Sequence, residues 1–338
     1  MLSTLTEKLR EAVPLTAQDV TVACDALFDE NRSLEERADF LLALHRKGET
    51  PEEIAAFVRV LLTRAVPADL GPGLLDVCGT GGDRAGLFNV STAVMFVVAA
   101  CGARVVKHGN RGITSKSGGA DVLESLGVRL DLPPAESLDA AGCTFLFAPH
   151  HHPTFKAVAP VRKALAEQGS SSIFNMLGPL LNPARPDFQL AGVFNPALLP
   201  AYAEVFSLLG RQRAWAVHGA GALDEISTLG PTEIHGVENG AIRNWHLDPS
   251  ELGLPAARRE DLLGGTADEN AALLEDLLAG RQSGPKRDIV ALNSACALVV
   301  AGRAGSVSDA LALASETLAS GAALEPLRAL QKLSGTSK

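Results

Sequence analysis

From Leu74 to His218 the chain alternates short apolar runs with stretches of helical periodicity, and this alternation narrows the folds open to it. The runs are Leu74–Cys78, Arg104–Lys107, Thr144–Phe147, Gln189–Val193 and Ala214–His218. Strands separated by helices predict a mostly parallel sheet with flanking helices, because a parallel pairing needs a crossover long enough to hold a helix. Sheets of this kind bind ligands beyond the carboxyl ends of their strands. The polar motifs stand there: GTGGD after the first strand, HGN after the second, PHHH after the third and HGAG after the last. Residues Glu233 to Leu247 predict a hairpin turned at Asn239-Gly240.

The first seventy residues follow a different pattern. Thr16, Ser33 and Thr50 each stand three residues ahead of an acid (Asp19, Glu36, Glu53), the capping-box spacing, and Pro51 suits a first helical turn. Ile54, Phe57, Val60 and Leu61 then recur at helical spacing. The expected fold class is therefore α/β. A small all-helical domain over 1–70 ends at the turn-rich Pro67–Gly73, and a larger α/β domain with a mostly parallel central sheet and flanking helices covers 71–338. The helical stretch Pro153–Gly169 fits either layer, so helices within 153–183 can also join the first domain.

The segment Asp76–Thr92, DVCGTGGDRAGLFNVST, carries the clearest chemistry. A strand exits into Gly79, Thr80, Gly81, Gly82 and Asp83, and the elbow Asn89-Val90-Ser91-Thr92 opens the helix AVMFVVAAC. Glycines let a backbone approach a ligand and adopt positive φ, while a helix N-terminus with hydroxyls beside it attracts anions. The loop reads as a phosphate cradle. Counted from Gly79, the last position of a dinucleotide fingerprint falls on Arg84, and no Gly-Lys-Ser/Thr follows as a P-loop requires.

A second loop, Lys107 to Asp121, gathers Lys107, His108, Arg111 and Lys116 among glycines, hydroxyls and amides. Positive charge and glycine together at a ligand-binding edge predict a clamp over a highly charged phosphate ester. Asp224-Glu225 follows the last strand, and a hard cation bridging these acids to a polyphosphate would suit magnesium. His150-His151-His152 lie too close in sequence to converge on one ion, so one of them is expected to line a pocket.

Composition excludes several partners. The formal charge of −9 over 338 residues argues against a nucleic-acid or anionic-membrane surface. Cys24, Cys78, Cys101, Cys143 and Cys296 are scattered, mostly in apolar runs, and read as reduced core residues. The N-terminal MLSTLTEKLREAV carries charges where a signal peptide needs an apolar stretch, and no apolar window reaches membrane-spanning length. A cytoplasmic location is expected.

Taken in order, GTGGD, FNVSTA, KHGNRGITSKSGGADVLESLG, APHHHPTFKAVAPVRK, IFNMLGPLLNPA, HGAGALDEIS, GGTADENAALLEDLLAG and NSACALVVAG resemble the anthranilate phosphoribosyltransferase family, from near the N-terminus to beyond residue 320. The resemblance implies a small helical and a larger α/β domain with the site in the cleft between them, and a homodimer. It implies transfer of the phosphoribosyl group of phosphoribosyl pyrophosphate to the amine of anthranilate, with pyrophosphate released, in tryptophan biosynthesis. The family's phosphate-cradle positions fall on Gly79, Gly82, Asp83, Asn89, Ser91 and Thr92, with Leu87, Val90 and Gly119 beside them. Its clamp falls on Lys107, His108, Gly109, Asn110, Arg111, Gly112, Ile113, Thr114 and Ser115. Its anthranilate positions fall on Gly79, Asn110, His152 and Arg162, and its magnesium positions, for two ions, on Ser91, Asp224 and Glu225. No catalytic nucleophile is implied.

The sequence departs from the family at four places. Leu87 stands where Thr is usual, Gly119 where Ser is usual, Ser171-Ser172 for Arg-Thr and Gly221-Ala222 for Asp-Gly. Two rivals remain at this level. A pyrimidine-nucleoside phosphorylase shares the architecture but would show a Lys-His-Ser-Thr-Gly-Gly loop. A non-catalytic nucleic-acid-binding relative would need a basic surface and would have lost the magnesium acids.

Overall fold

A computed structural model of the chain describes residues 2–82, 85–112 and 116–336. It begins with helices α1 (Leu2–Arg10), α2 (Ala17–Phe28), α3 (Leu34–Lys47) and α4 (Pro51–Thr63). Strand β1 (Leu74–Gly79), helix α5 (Val90–Ala100), strand β2 (Arg104–Gly109), helices α6 (Gly119–Ser125) and α7 (Pro134–Ala141) and strand β3 (Cys143–Phe147) follow. After α8 (Ala148–His151) and α9 (Ala159–Glu167) come β4 (Phe188–Gly192), α10 (Leu199–Leu208), β5 (Arg213–Gly219), β6 (Thr232–Glu238) and β7 (Ala241–Leu247). Helices α11 (Ala267–Leu278), α12 (Pro285–Val300), α13 (Val307–Ala319) and α14 (Leu324–Leu333) close the chain. Two compact units emerge: Met1–Pro67 with Pro149–Pro183, and Ala68–Ala148 with Ala184–Lys338.

In the helical unit, Thr16 and Thr50 form reciprocal capping boxes with Asp19 and Glu53, and Pro51 opens α4. Ser33 makes only half of one: its hydroxyl accepts the Glu36 N–H at 3.1 Å, while the Glu36 carboxylate is drawn to Arg32 at 3.1 Å. Buried Glu53 also takes the Leu15 N–H at 2.8 Å and pairs with Lys47 at 2.7 Å, which ties three segments together. Residues 149–183 pack here because Phe155 wedges its ring against Phe28 and Phe174, at centroid separations of 5.8 and 5.7 Å. Arg37 fastens the same segment by donating to the Ala157 carbonyl at 2.9 Å.

The α/β unit is a seven-stranded sheet in the order β3-β2-β1-β4-β5-β6-β7. The first five strands are parallel, and β6–β7 is an antiparallel hairpin continuing from β5. Each expected strand is present, extended by one or two residues or shifted by one. The hairpin turn holds Asn239 and Gly240 at φ +48° and +82°, the left-handed pair that a two-residue turn demands. Helix α5 is buried all round from Ala93 to Ala99, which the uninterrupted apolar sequence of that stretch requires. It begins at Val90, so Ser91 and Thr92 lie inside its first turn and not ahead of it as expected. Strand β1 is flanked by β2 on one side and β4 on the other, so the chain's crossovers leave it in opposite directions. The carboxyl ends of β1 and β4 form the switch point where parallel sheets take ligands.

Candidate active site

At that switch point the segment Asp224-Glu225 lies across the ends of three neighbouring strands, and glycine ends each of them. A Cβ on Gly79 would lie 2.6 Å from Asp224 Oδ2, one on Gly192 would overlap the Asp224 carbonyl, and one on Gly219 would overlap the Glu225 carbonyl. From sequence, Gly79 is expected to let the backbone approach a ligand closely. Its φ lies outside the positive region, and a close approach is what it provides, to Asp224. Asp224 Oδ2 accepts the Gly81 N–H at 2.8 Å, which joins the acid to the glycine loop. Gly82 is exposed at φ +84°, and Asp83 lies outside the described residues.

Buried Lys107 projects from β2 beneath the start of α5, donating to the Val77 carbonyl at 2.6 Å and the Ser91 hydroxyl at 3.0 Å. Two acceptors thus hold the ammonium between β1 and the first turn of α5. Thr92 is buried beside Ser91. Asn89, though it precedes α5, makes no capping hydrogen bond. His108 is buried on β2, its N–H donated to the Asp76 carboxylate at 3.2 Å.

The clamp loop leaves β2 at Gly109. Exposed Asn110 accepts the Arg111 N–H at 2.8 Å, and Arg111 pairs with Asp121 at 3.0 Å and with Glu124. Burial pushes the Asp121 carboxyl up, but the N–H groups of Gly112 and Gly118 and the Arg111 guanidinium outweigh this and hold it below the ordinary range. Asp121 thus ties both ends of the loop and caps α6, which starts at Gly119. Ile113, Thr114 and Ser115 lie outside the described residues. At Gly119 an added Cβ would sit 3.1 Å from Thr92 Oγ1, so a serine there would press on the cradle. Leu87 forms an antiparallel bridge with Leu263.

In the helical unit His152 is buried, and its Nε2–H donates to the Leu181 carbonyl at 2.9 Å. Burial lowers its basicity below the ordinary imidazole value, so the ring is neutral at pH 7. Arg162, on α9, lies over the Phe174 ring at 5.8 Å. Burial alone lowers its pKa, and no acidic side chain among the described residues pairs with it. A half-buried guanidinium in this state is suited to an incoming carboxylate. Ser172, where the family has a threonine, is buried.

Ser91 and Glu225 line one small cavity together with Val77, Cys78, Gly192 and Asn293. Burial pushes the Cys78 thiol well above its ordinary value, so this neighbour is no thiolate nucleophile. A serine and a glutamate on one cavity, with Asp224 next to the glutamate in sequence, fit the chemistry of magnesium, which takes one or two carboxylates and completes its shell with water and phosphate oxygens. The histidine run does not converge. His151 Nδ1 bonds the Val66 carbonyl at 3.0 Å, and among the described residues no group of three His, Cys, Asp or Glu side chains could hold a metal.

Sequence reasoning missed two asparagines. Buried Asn293, on α12, accepts the Ile226 N–H at 2.9 Å and donates to the Ile226 carbonyl at 2.8 Å, holding the backbone next to Glu225. Asn270, on α11, bonds Asn89 and Ser117 at 2.9 Å each. Both stand in segments quoted for the family resemblance, but nothing local marks either amide as reaching the sheet's edge.

Residues 71–324 match the Glycosyl transferase family, a/b domain, and residues 3–65 match the Glycosyl transferase family, helical bundle domain. The chain is 45% identical over 317 residues to an anthranilate phosphoribosyltransferase of Rhodospirillum rubrum, covering 93% of this chain and 90% of that one. It is similar to the crystal structure of anthranilate phosphoribosyltransferase (TrpD) from Thermus thermophilus, with TM-score 0.90, 41% identity and coverage of 98% and 99% of the two chains. It is also similar to the Saccharomyces cerevisiae enzyme in complex with PRPP and Mg, with TM-score 0.87, 27% identity and coverage of 99% and 98%.

Proposed function

The chain belongs to the anthranilate phosphoribosyltransferases, glycosyltransferases of tryptophan biosynthesis, and we propose that the strand-end loops of its α/β unit hold the phosphoribosyl donor while His152 and Arg162 hold the acceptor. The reaction joins the amine of anthranilate to the anomeric carbon of phosphoribosyl pyrophosphate and releases pyrophosphate. The observation that carries the site assignment is the meeting of Ser91, held by Lys107, with Glu225 in one cavity at the switch point.

Gly79, Gly82, Asp83, Leu87, Asn89, Val90, Ser91, Thr92 and Gly119 form the donor cradle in this reading, with residues Lys107 to Ser115 around it. Ser91, Asp224 and Glu225 hold magnesium, two ions in our assignment, whose chemistry is to neutralise charge on the pyrophosphate. Backbone N–H groups of the glycine loop and the buried Lys107 ammonium meet the charge that develops on the leaving group as the sugar gains oxocarbenium character. Gly79 and Asn110 border the acceptor, Arg162 grips its carboxylate through a planar fork, and the neutral His152 ring lines the acceptor position. The anthranilate amine shares its lone pair with an aromatic ring and is a weak nucleophile, so rate comes mainly from holding two substrates aligned.

The free thiols favour a reducing compartment, so a cytoplasmic location belongs to the same reading, as does the homodimer implied by the family. Among the described residues no helix is long and apolar enough to cross a membrane. The test is the fluorescence of anthranilate followed with and without phosphoribosyl pyrophosphate and magnesium. Loss of signal only with both supports the reading, and turnover unaffected by magnesium removal overturns the metal assignment.

A further inference from the structure

We propose that Asn270 is a positioning residue for the donor cradle, acting through Asn89 and Ser117. This rests on the cradle assignment made above. Asn270 stands in the first turn of α11 and is 2% exposed. Its Nδ2 lies 2.9 Å from Asn89 Oδ1 and 2.9 Å from Ser117 Oγ, and its Oδ1 accepts the Gly265 N–H at 2.8 Å. The amide is not needed to start its own helix, since Thr266 and Glu269 already cap α11 reciprocally.

Asn89 does depend on it. Its side chain makes no cap to α5; its oxygen faces Asn270 and its nitrogen donates to the Ser117 carbonyl at 3.2 Å. One buried amide therefore joins the cradle loop before α5 to the far end of the clamp loop before α6. The segment ahead of α11 grips the same cradle loop by its backbone. Phe88 N–H bonds the Leu262 carbonyl at 3.2 Å, Gly264 N–H bonds the Gly86 carbonyl at 2.9 Å, and Arg259 reaches the Ala85 carbonyl at 3.3 Å. An apolar side chain at 270 would fill the space but take from half-buried Asn89 and buried Ser117 their shared donor, leaving the pair held to each other only by the Asn89 Nδ2 bond to the Ser117 carbonyl at 3.2 Å and a long Ser117 hydroxyl bond of 3.4 Å.

Steady-state kinetics on the full-length enzyme, varying each substrate, tests this. Asn270→Ala should raise KM for phosphoribosyl pyrophosphate about tenfold, as losing a supporting hydrogen bond does elsewhere, with KM for anthranilate moving less than about twofold. Asn270→Asp keeps the size and the bond to Gly265 but sets a carboxylate against Asn89 Oδ1; it should show the same selective loss and serves if the alanine variant does not fold. On an Asn89→Ala, Ser117→Ala background, Asn270→Ala should change the donor KM by less than about twofold. A merely structural role would lower Tm and leave both KM values alone, or raise both together, or persist in full on that background, and any of these overturns the inference. Selective donor loss in Asn89→Ala with none in Asn270→Ala also overturns it while sparing the cradle assignment. Unchanged donor KM in Asn89→Ala overturns both.

Discussion

Gly79 and Asp224 are 145 positions apart in sequence, yet the Asp224 carboxylate fills the space in which a side chain on residue 79 would begin, 2.6 Å from the position of its Cβ. The glycine at the exit of β1 is set by a neighbouring acid as much as by any ligand. Gly79→Ala should therefore displace Asp224, break its bond to Gly81 and cost about 1–3 kcal/mol of stability, the usual scale of overpacking. Adding Asp224→Ala should recover much of that stability in thermal unfolding without restoring turnover. Gly79→Val should abolish turnover outright. The control is Gly127→Ala, where φ is +77° and an added Cβ meets Thr336: it should lower Tm and leave both KM values near wild type. Full additivity of the Gly79 and Asp224 changes would refute the account.

Replacing Asp224 by Asn and Glu225 by Gln keeps shape and removes charge from the proposed metal site. Activity should fall steeply, recover in part at high magnesium, and leave Tm nearly unchanged, because the amide oxygen that replaces the carboxylate can still accept the Gly81 N–H. Near-normal activity at limiting magnesium would remove both residues from the metal site.

Arg162→Ala should weaken anthranilate and spare the donor. Loss of a charge-assisted contact costs about 1.5–3 kcal/mol, which is about one to two decades in the acceptor's KM. Arg162→Lys should rescue little, since an ammonium cannot reproduce the planar fork. Equal damage to both substrates would mean that Arg162 shapes the helical unit around Phe174 and does not grip a carboxylate.

Ala222 stands at φ +58°, in the left-handed region, where the family usually has glycine. An L side chain there costs about 1–2 kcal/mol. Ala222→Gly should raise stability by about 1 kcal/mol in denaturant unfolding, net of the glycine's extra chain entropy. A loss of stability would show that the turn needs the methyl group's contacts more than relief of strain.

The strands, the hairpin at Asn239-Gly240 and the capping boxes at Thr16 and Thr50 were legible in the sequence because each depends on residues within a few positions of one another: apolar periodicity, turn chemistry, a hydroxyl three residues ahead of an acid. The strand-end motifs were legible for a related reason, since a parallel sheet places its loops at one edge whatever their contents. Local pattern could not decide where residues 149–183 pack, because that rests on Phe155 meeting Phe28 and Phe174. It placed the start of α5 too late, because Asn89-Val90-Ser91-Thr92 read as a polar elbow when Ser91 and Thr92 belong to the first turn and only Asn89 precedes it. Tertiary structure gives the Asn89 side chain to Asn270, 181 residues away. The same holds for Lys107 beneath Ser91, for Asn293 on Ile226 and for Asp224 against Gly79. Sequence alone determined which elements form and which edge of the sheet gathers the polar motifs. Only the folded chain decided how each polar group at that edge is satisfied, because a buried donor or acceptor takes its partner from whatever packing brings within about 3 Å, however distant in sequence.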